Sequence, residues 1–392
     1  MRSLKPTTIP DRFALWLALF YGGVFVAGGI QMPFFPVWLA AKGLDPQAIG
    51  VILAVPMVVR VVAVLAVTRV ADRREALRGA LIATAVATAF SWVLIGFADG
   101  FRSILLATIV ASAAYSPVLP LTDTYALKGL GARRRAYGPV RLWGSAAFIA
   151  GNLGAGLLVD VIAPRDLVWL IVAAFGAAAL ASVFLMPLAT EPPARTEPHP
   201  SASVLLSSPG FLAVVAAASF VQASHAVYYG FSTLAWTARG LDGATVGGLW
   251  ALGVIAEIVL FRFSARLPAG LGPAPLIAIG AAGAVVRWLA MAFDPPLSLL
   301  PVLQLLHGLS FGATFLGALQ YLARTTPEGL GATAQGYLSI VQGLAMAAAM
   351  GLSGMLFGAF GSLAYAAMAA LAALGGILAL VAHRLSQPEP TA

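Results

Sequence analysis

Apolar residues run along the chain in stretches of about 20, enough to cross a hydrocarbon core of about 30 Å as helices, and clusters of charge, glycine and proline punctuate them. Twelve such spans can be placed, near 13–40, 46–68, 77–97, 101–127, 140–160, 165–188, 209–237, 244–266, 274–293, 297–323, 331–358 and 361–384. No two-residue alternation marks a barrel, and irregular backbone cannot face lipid, so all twelve are expected to be helices. Arg2, Lys5 and Arg12 precede the first run as they would in a signal peptide. That run continues to about Leu39 and further spans follow it, which excludes a short cleaved leader. The stretch from Ala189 to Ser208, with Pro192, Pro193, Pro198 and Pro200, is the one sustained polar break. It divides the chain into a bundle over 1–188, a linker over 189–208 and a bundle over 209–392.

Composition agrees. Of 392 residues, 60% are hydrophobic and 10% charged, with mean hydropathy +0.92, whereas a soluble domain carries about a quarter charged residues. The net charge of +8 is no nucleic-acid footprint, because the basic residues sit in short clusters between spans. With both termini cytoplasmic, sixteen of the 23 basic residues fall in cytoplasmic segments and four (Lys42, Arg102, Arg165, Arg239) in outer loops. That bias is the positive-inside pattern of a bacterial inner-membrane protein. With no cysteine, disulfides and thiolate chemistry are excluded.

Five charged side chains lie inside the spans: Arg60, Asp123, Arg141, Glu257 and Arg287. Each costs roughly 2.5–3.5 kcal/mol at a helix centre even on the lenient insertion scale, so they are expected to face a polar cavity or one another. Their sum is +1, and His225 and His307 add to it when protonated. A basic surplus favours an anionic guest. Interhelical ion pairs are the structural alternative, although desolvation offsets much of a buried pair's attraction. A carboxyl in a dry helix gains a proton through desolvation and loses it when a cation approaches, which makes Glu257 the first candidate for a coupling proton and Asp123 the second. His307 either relays a proton or packs. Glycines and prolines in the spans, among them Gly28, Gly29, Pro33, Pro117, Pro120, Gly308 and Gly312, allow close packing or bending.

Gly138-Pro139-Val140-Arg141-Leu142-Trp143-Gly144-Ser145 resembles the fifth-helix signature of one branch of the major facilitator superfamily. The branch holds lactose permease, the nucleoside:proton symporters and the phenylpropionate permeases. Asp123 lies eighteen residues before Arg141, and Arg287 twenty before His307, as the corresponding residues do in lactose permease. The resemblance implies the twelve-helix fold of two six-helix bundles, with Asp123, Arg141, Ser145, Phe148, Arg287, His307 and Phe311 lining a substrate site near the midplane. The proton-carrying acid of lactose permease is replaced by Ser310, whereas Glu257 resembles the eighth-helix glutamate of nucleoside symporters. The run Gly29-Ile30-Gln31-Met32-Pro33-Phe34-Phe35-Pro36 is most similar to the phenylpropionate permeases and implies an aromatic or hydrophobic carboxylate as substrate. Asp72-Arg73 is the retained part of the superfamily's gating loop between helices 2 and 3.

The expectation is therefore a monomeric, cofactor-free transporter driven by a proton gradient, binding a small anionic solute and no nucleic acid. Drug export in exchange for protons is a rival on the same fold. A serine protease is a remote one, because Gly308-Leu309-Ser310-Phe311-Gly312 with His307 beside it matches a nucleophile-elbow pattern. No zinc-protease, phosphate-loop or dinucleotide motif occurs.

Overall fold

The computed structural model describes residues 12–73, 76–188, 201–268 and 271–385, and no strand occurs among them. The described residues form twelve long helices: α1 (Arg12–Ala41), α2 (Pro46–Arg73), α3 (Leu77–Phe97), α4 (Gly100–Ala132), α5 (Tyr137–Val159), α6 (Leu167–Val183), α7 (Pro209–Ala238), α8 (Gly243–Phe263), α9 (Pro273–Ala292), α10 (Leu297–Thr325), α11 (Gly331–Phe360) and α12 (Ala364–Leu385). Each matches one expected span. Among the described residues eleven apolar stretches are long enough to cross a membrane, and the last, Gly331–Leu385, is divided into α11 and α12 at Gly361, whose φ of 56° only glycine adopts freely. Of the linker, residues 189–200 lie outside the described part, and Ser203–Leu206 form one helical turn.

Contacts divide the chain into two compact units, Met1–Trp38 with Val62–Pro192 and Leu39–Val61 with Pro193–Ala392. In the first, α1 packs on α5 and α6, and α3 on α4 and α6. In the second, α7 packs on α11 and α12, and α9 on α10 and α12. The same pairings thus recur six helices later. The chain repeats itself at a finer level too. Lys42-Gly43-Leu44-Asp45 ends α1 and Arg239-Gly240-Leu241-Asp242 ends α7. Gly43 (φ 81°) and Gly240 (φ 89°) are left-handed helix caps, with Leu44 N–H donating to Leu39 O and Leu241 N–H to Trp236 O. The aspartate after each caps the next helix, Asp45 Oδ1 accepting from Ala48 N–H and Asp242 Oδ1 from Thr245 N–H, both at 2.7 Å.

Lipid supplies no hydrophobic force between helices, so close backbone approach through small residues holds them. A methyl group added at Gly29 would lie 2.3 Å from Phe148 O, and one at Gly151 2.5 Å from Val26 O, a reciprocal contact between α1 and α5. Three spans are interrupted. Pro117, which has no N–H to donate, sits where α4 breaks into Gly100–Tyr115 and Val118–Ala132. A break at Ser224 and His225 divides α7 into Pro209–Ala223 and Ala226–Ala238. In α10, Gly308–Ala313 widens into a π-helical turn, a feature concentrated at functional sites.

Gly29→Val is expected to destabilise the detergent-solubilised protein by about 1–3 kcal/mol through overpacking. Gly22→Ala, at a glycine with open space around it, should leave the melting temperature unchanged. Thermal unfolding of the two variants checks this.

Candidate functional site

In the first unit the polar residues gather around Asp123, which the Pro117 break places on the second segment of α4. Tyr21 from α1 donates its hydroxyl to Asp123 Oδ1 at 2.5 Å, and Tyr137 from α5 donates to the same oxygen at 2.8 Å. Hydrogen bonds to a charged group are each worth about 1.5–3 kcal/mol, so two phenols offset much of the cost of holding a carboxylate there. Arg141, one turn beyond Tyr137, lays its guanidinium on the Phe25 ring at 4.3 Å and faces Tyr21 at 5.8 Å. Gly144 leaves room for that stack, since a methyl on it would meet Phe25 at 2.8 Å. No ion pair joins Asp123 to Arg141 among the described residues. The eighteen-residue interval brings them into one cluster, but tyrosines rather than the arginine satisfy the acid. Ser145 is half-buried on the same helix, and the Phe148 ring lies 3.7 Å from where a side chain at Gly28 of α1 would begin.

The second unit holds a more enclosed cluster, centred on Arg287 of α9. The side chain is 0% exposed. Its Nη2 donates to Gln304 Oε1 at 2.8 Å, and its Nη1 to His307 Nδ1 at 3.0 Å and Ser310 Oγ at 3.4 Å, while Nε has no partner. The guanidinium also lies 4.5 Å from the Tyr228 ring centroid and 4.6 Å from that of Trp288. Tyr228 in turn donates to Gln304 Oε1 at 3.0 Å. Among the described residues no carboxylate lies within ion-pair distance of Arg287. All its acceptors are neutral.

The helix breaks shape this cluster. At the break in α7 the carbonyls of Val221 and Gln222 accept from His225 Nδ1, at 3.2 and 3.1 Å. On the other side of the ring, Nε2 lies 3.1 Å from Ser310 Oγ, within hydrogen-bond distance. Trp288 Nε1 donates to Ser224 Oγ at 2.9 Å, fixing the ring beside Arg287. In α10 the wide turn exposes the Phe311 carbonyl, which accepts from Gln222 Nε2 at 3.3 Å. Phe311 itself stacks on His307 with centroids 5.3 Å apart. Glu257 on α8 is half-buried, its stem packed beside Gly312. Arg60 is exposed on α2. Asp72 and Arg73 form the last helical residues of α2, and their side chains lie outside the described part, as do Arg74 and Glu75.

Ser310 does not sit on a nucleophile elbow. It is 0% exposed on a π-helical turn, its hydroxyl is held between His225 and Arg287, and backbone carbonyls rather than an acid orient His225. Charge and motif scanning singled out Asp123, Arg141, Arg287 and His307 but missed Tyr21, Tyr137 and Gln304. Two of these had a signal, since Tyr137 lies four residues before Arg141 and Gln304 three before His307, spacings that share a helix face.

A model of the MFS_1 like family matches residues 14–367. The chain belongs to this family. It is a membrane transporter of the major facilitator type and not an enzyme. The "Probable 3-phenylpropionic acid transporter" of Escherichia coli (strain K12) is 34% identical over 315 residues, covering 79% of this chain and 82% of the relative. The "Maltose permease" of Geobacillus stearothermophilus is 31% identical over 332 residues, with 82% of each covered. Among solved structures, the nucleoside transporter NupG has the same fold, with a TM-score of 0.78 at 16% identity over 96% of this chain and 100% of that one.

Gln304→Leu removes the amide oxygen that Arg287 Nη2 and Tyr228 share. It is expected to cost about 1.5–3 kcal/mol, the worth of a hydrogen bond to a charged group. Denaturation of this major facilitator transporter in detergent measures it.

Proposed function

We propose that the chain imports a small organic anion, an aromatic or hydrophobic carboxylate of the 3-phenylpropionate type, together with protons. It does so by alternating access in the bacterial inner membrane, as a monomer with both termini cytoplasmic. One observation carries the reading: Arg287 is fully buried and, among the described residues, hydrogen-bonded only to neutral groups. A charge left without a counter-ion in a low-dielectric core is costly, and an anionic solute would relieve it. The name of the relative at 34% identity, a probable 3-phenylpropionic acid transporter, supports the same substrate class.

In this reading the solute carboxylate docks on Arg141, whose one face rests on Phe25 and whose guanidinium has no carboxylate partner among the described residues, with Arg287 assisting. Asp123 and Ser145 line the site, and Phe148 and Phe311 offer apolar contact to the solute's body. His307 completes the lining beside Arg287. Glu257 carries the coupling proton, with Asp123 as the second candidate. Asp72 and Arg73 act in gating, and the six-helix halves 1–188 and 209–392 alternate about the linker 189–208.

A hydroxyl-rich solute, a nucleoside or a sugar, is the second reading. The Tyr21–Asp123–Tyr137 cluster favours it, because a carboxylate flanked by phenols is suited to accepting and donating hydrogen bonds with hydroxyls.

Uptake of labelled 3-phenylpropionate into proteoliposomes under an inward proton gradient tests the proposal. Accumulation should be competed by other aryl carboxylates and not by nucleosides or maltose; the reverse pattern would establish the second reading, and solute moving outward against protons would establish export. Arg141→Gln is expected to raise KM about tenfold to a hundredfold, the equivalent of one charged hydrogen-bonding partner at about 1.5–3 kcal/mol. Glu257→Gln should keep solute exchange and lose uphill accumulation.

A further inference from the structure

We propose that Phe311 and Phe315 of α10 form a stacking surface that selects a flat aromatic ring in the solute over a saturated ring of the same size. It rests on the reading of the solute as an aryl carboxylate and names the feature of that solute which the site reads.

Spacing builds the surface. His307, Phe311 and Phe315 recur every four residues, and four residues overshoot one turn of a regular α-helix by about 40°. Gly308–Ala313 is a π-helical turn, which is wider and advances less around the axis per residue. It takes up the overshoot, and the rings lie one above another. His307 and Phe311 have centroids 5.3 Å apart and planes 22° from parallel, and for Phe311 and Phe315 the values are 6.1 Å and 14°. Both separations fall in the range of offset-stacked aromatic pairs.

Other residues seat α10 on its neighbours. Gly308 and Gly312 bring it onto α8, where an added methyl would meet Ala256 O at 2.9 Å and Leu260 Cδ2 at 3.3 Å. Leu309 and Thr314 lie against Gly283 and Gly280 of α9. Phe261 of α8 borders Phe315 at 6.1 Å, tilted by 53°, and the His225 ring stands perpendicular to Phe311 at 6.3 Å. Phe311 and Phe315 are nevertheless only half-buried, whereas Gly312, Ala313 and Thr314 between them are buried. Part of each ring is left uncovered.

Charged groups give the surface a direction. At one end the His307 ring accepts from Arg287 Nη1 at 3.0 Å. Alongside, Glu257 Cγ lies 3.6 Å from where a side chain at Gly312 would begin. A carboxylate drawn toward Arg287 carries its ring to Phe311, and Phe315 offers a second station one turn farther from the arginine. A saturated ring is as apolar as a phenyl but is puckered and has no π-face, so it gains burial and not stacking. A merely apolar wall would hold the saturated ring at least as well.

Competition against labelled 3-phenylpropionate uptake in proteoliposomes compares unlabelled 3-phenylpropionate with 3-cyclohexylpropionate, which has the same carboxylate and chain. In the wild type the phenyl compound is expected to inhibit at a concentration about twofold to tenfold lower, the equivalent of one aromatic pair. Phe315→Leu, which keeps an apolar side chain and removes the ring, should bring that ratio toward one, and Phe315→Tyr should return it toward the wild-type value. Equal inhibition in the wild type, or stronger inhibition by the cyclohexyl compound, overturns the proposal. So does a Phe315→Leu protein that unfolds at the wild-type temperature and keeps the wild-type ratio. If Phe315→Leu does not fold, the wild-type ratio decides alone. Absence of any carboxylate uptake by the wild type would instead sink the anion reading, a result separate from a lost preference between the two rings.

Discussion

A guanidinium in the middle of a membrane helix must be answered by something, and at Arg287 the answer is not a carboxylate. The side chain is sealed from solvent, and its hydrogens go to an amide oxygen, an imidazole nitrogen and a serine oxygen while two aromatic faces lie within 4.6 Å of it. Each contact softens the cost of desolvating the charge, and none cancels it. Much of the second unit's local architecture follows from this. Gln304 is oriented by Arg287 and Tyr228 together, Trp288 is fixed by Ser224, and Ser310 is held between the arginine and His225. One span, α10, contributes all three acceptors to one positive charge, and Tyr228 of α7 and Trp288 of α9 lay aromatic faces beside it.

The first unit solves the mirror-image problem differently. There the acid, Asp123, is satisfied by Tyr21 and Tyr137, while Arg141 rests on Phe25. In both units the polar residues come to hand because a helix is interrupted nearby, at Pro117 in α4 and at His225 and Gly308–Ala313 in α7 and α10. Beside the breaks, backbone carbonyls accept from side chains and hold them in place. The close glycine contacts supply the complementary rigidity, since α1 and α5 meet backbone to backbone at Gly29 and Gly151.

The helices were legible because nothing but a bilayer requires apolar runs of this length, and each run ended at charge, glycine or proline. The repeat was legible only coarsely. The polar linker marked two halves, but the paired Gly-Leu-Asp caps after α1 and α7, visible at Gly43 and Gly240, went unread because they are loop residues outside any span. Within the site, formal charge was the signal, so Asp123, Arg141, Arg287 and His307 stood out. Tyr21, Tyr137 and Gln304 carry no charge and merge into aromatic or amphipathic positions, so a scan for charge passes over them. The breaks in α7 and α10 were invisible for another reason: glycine content shows that a helix can bend, not which carbonyl there accepts from which side chain.

The central claim is that an uncompensated positive charge recruits the solute. Isothermal titration of the purified transporter with 3-phenylpropionate and with its neutral amide compares two ligands of nearly equal shape that differ in charge. The account expects the carboxylate to bind about tenfold to a hundredfold more tightly, the equivalent of about 1.5–3 kcal/mol for a charged hydrogen-bonding partner. Equal affinity for acid and amide would contradict it.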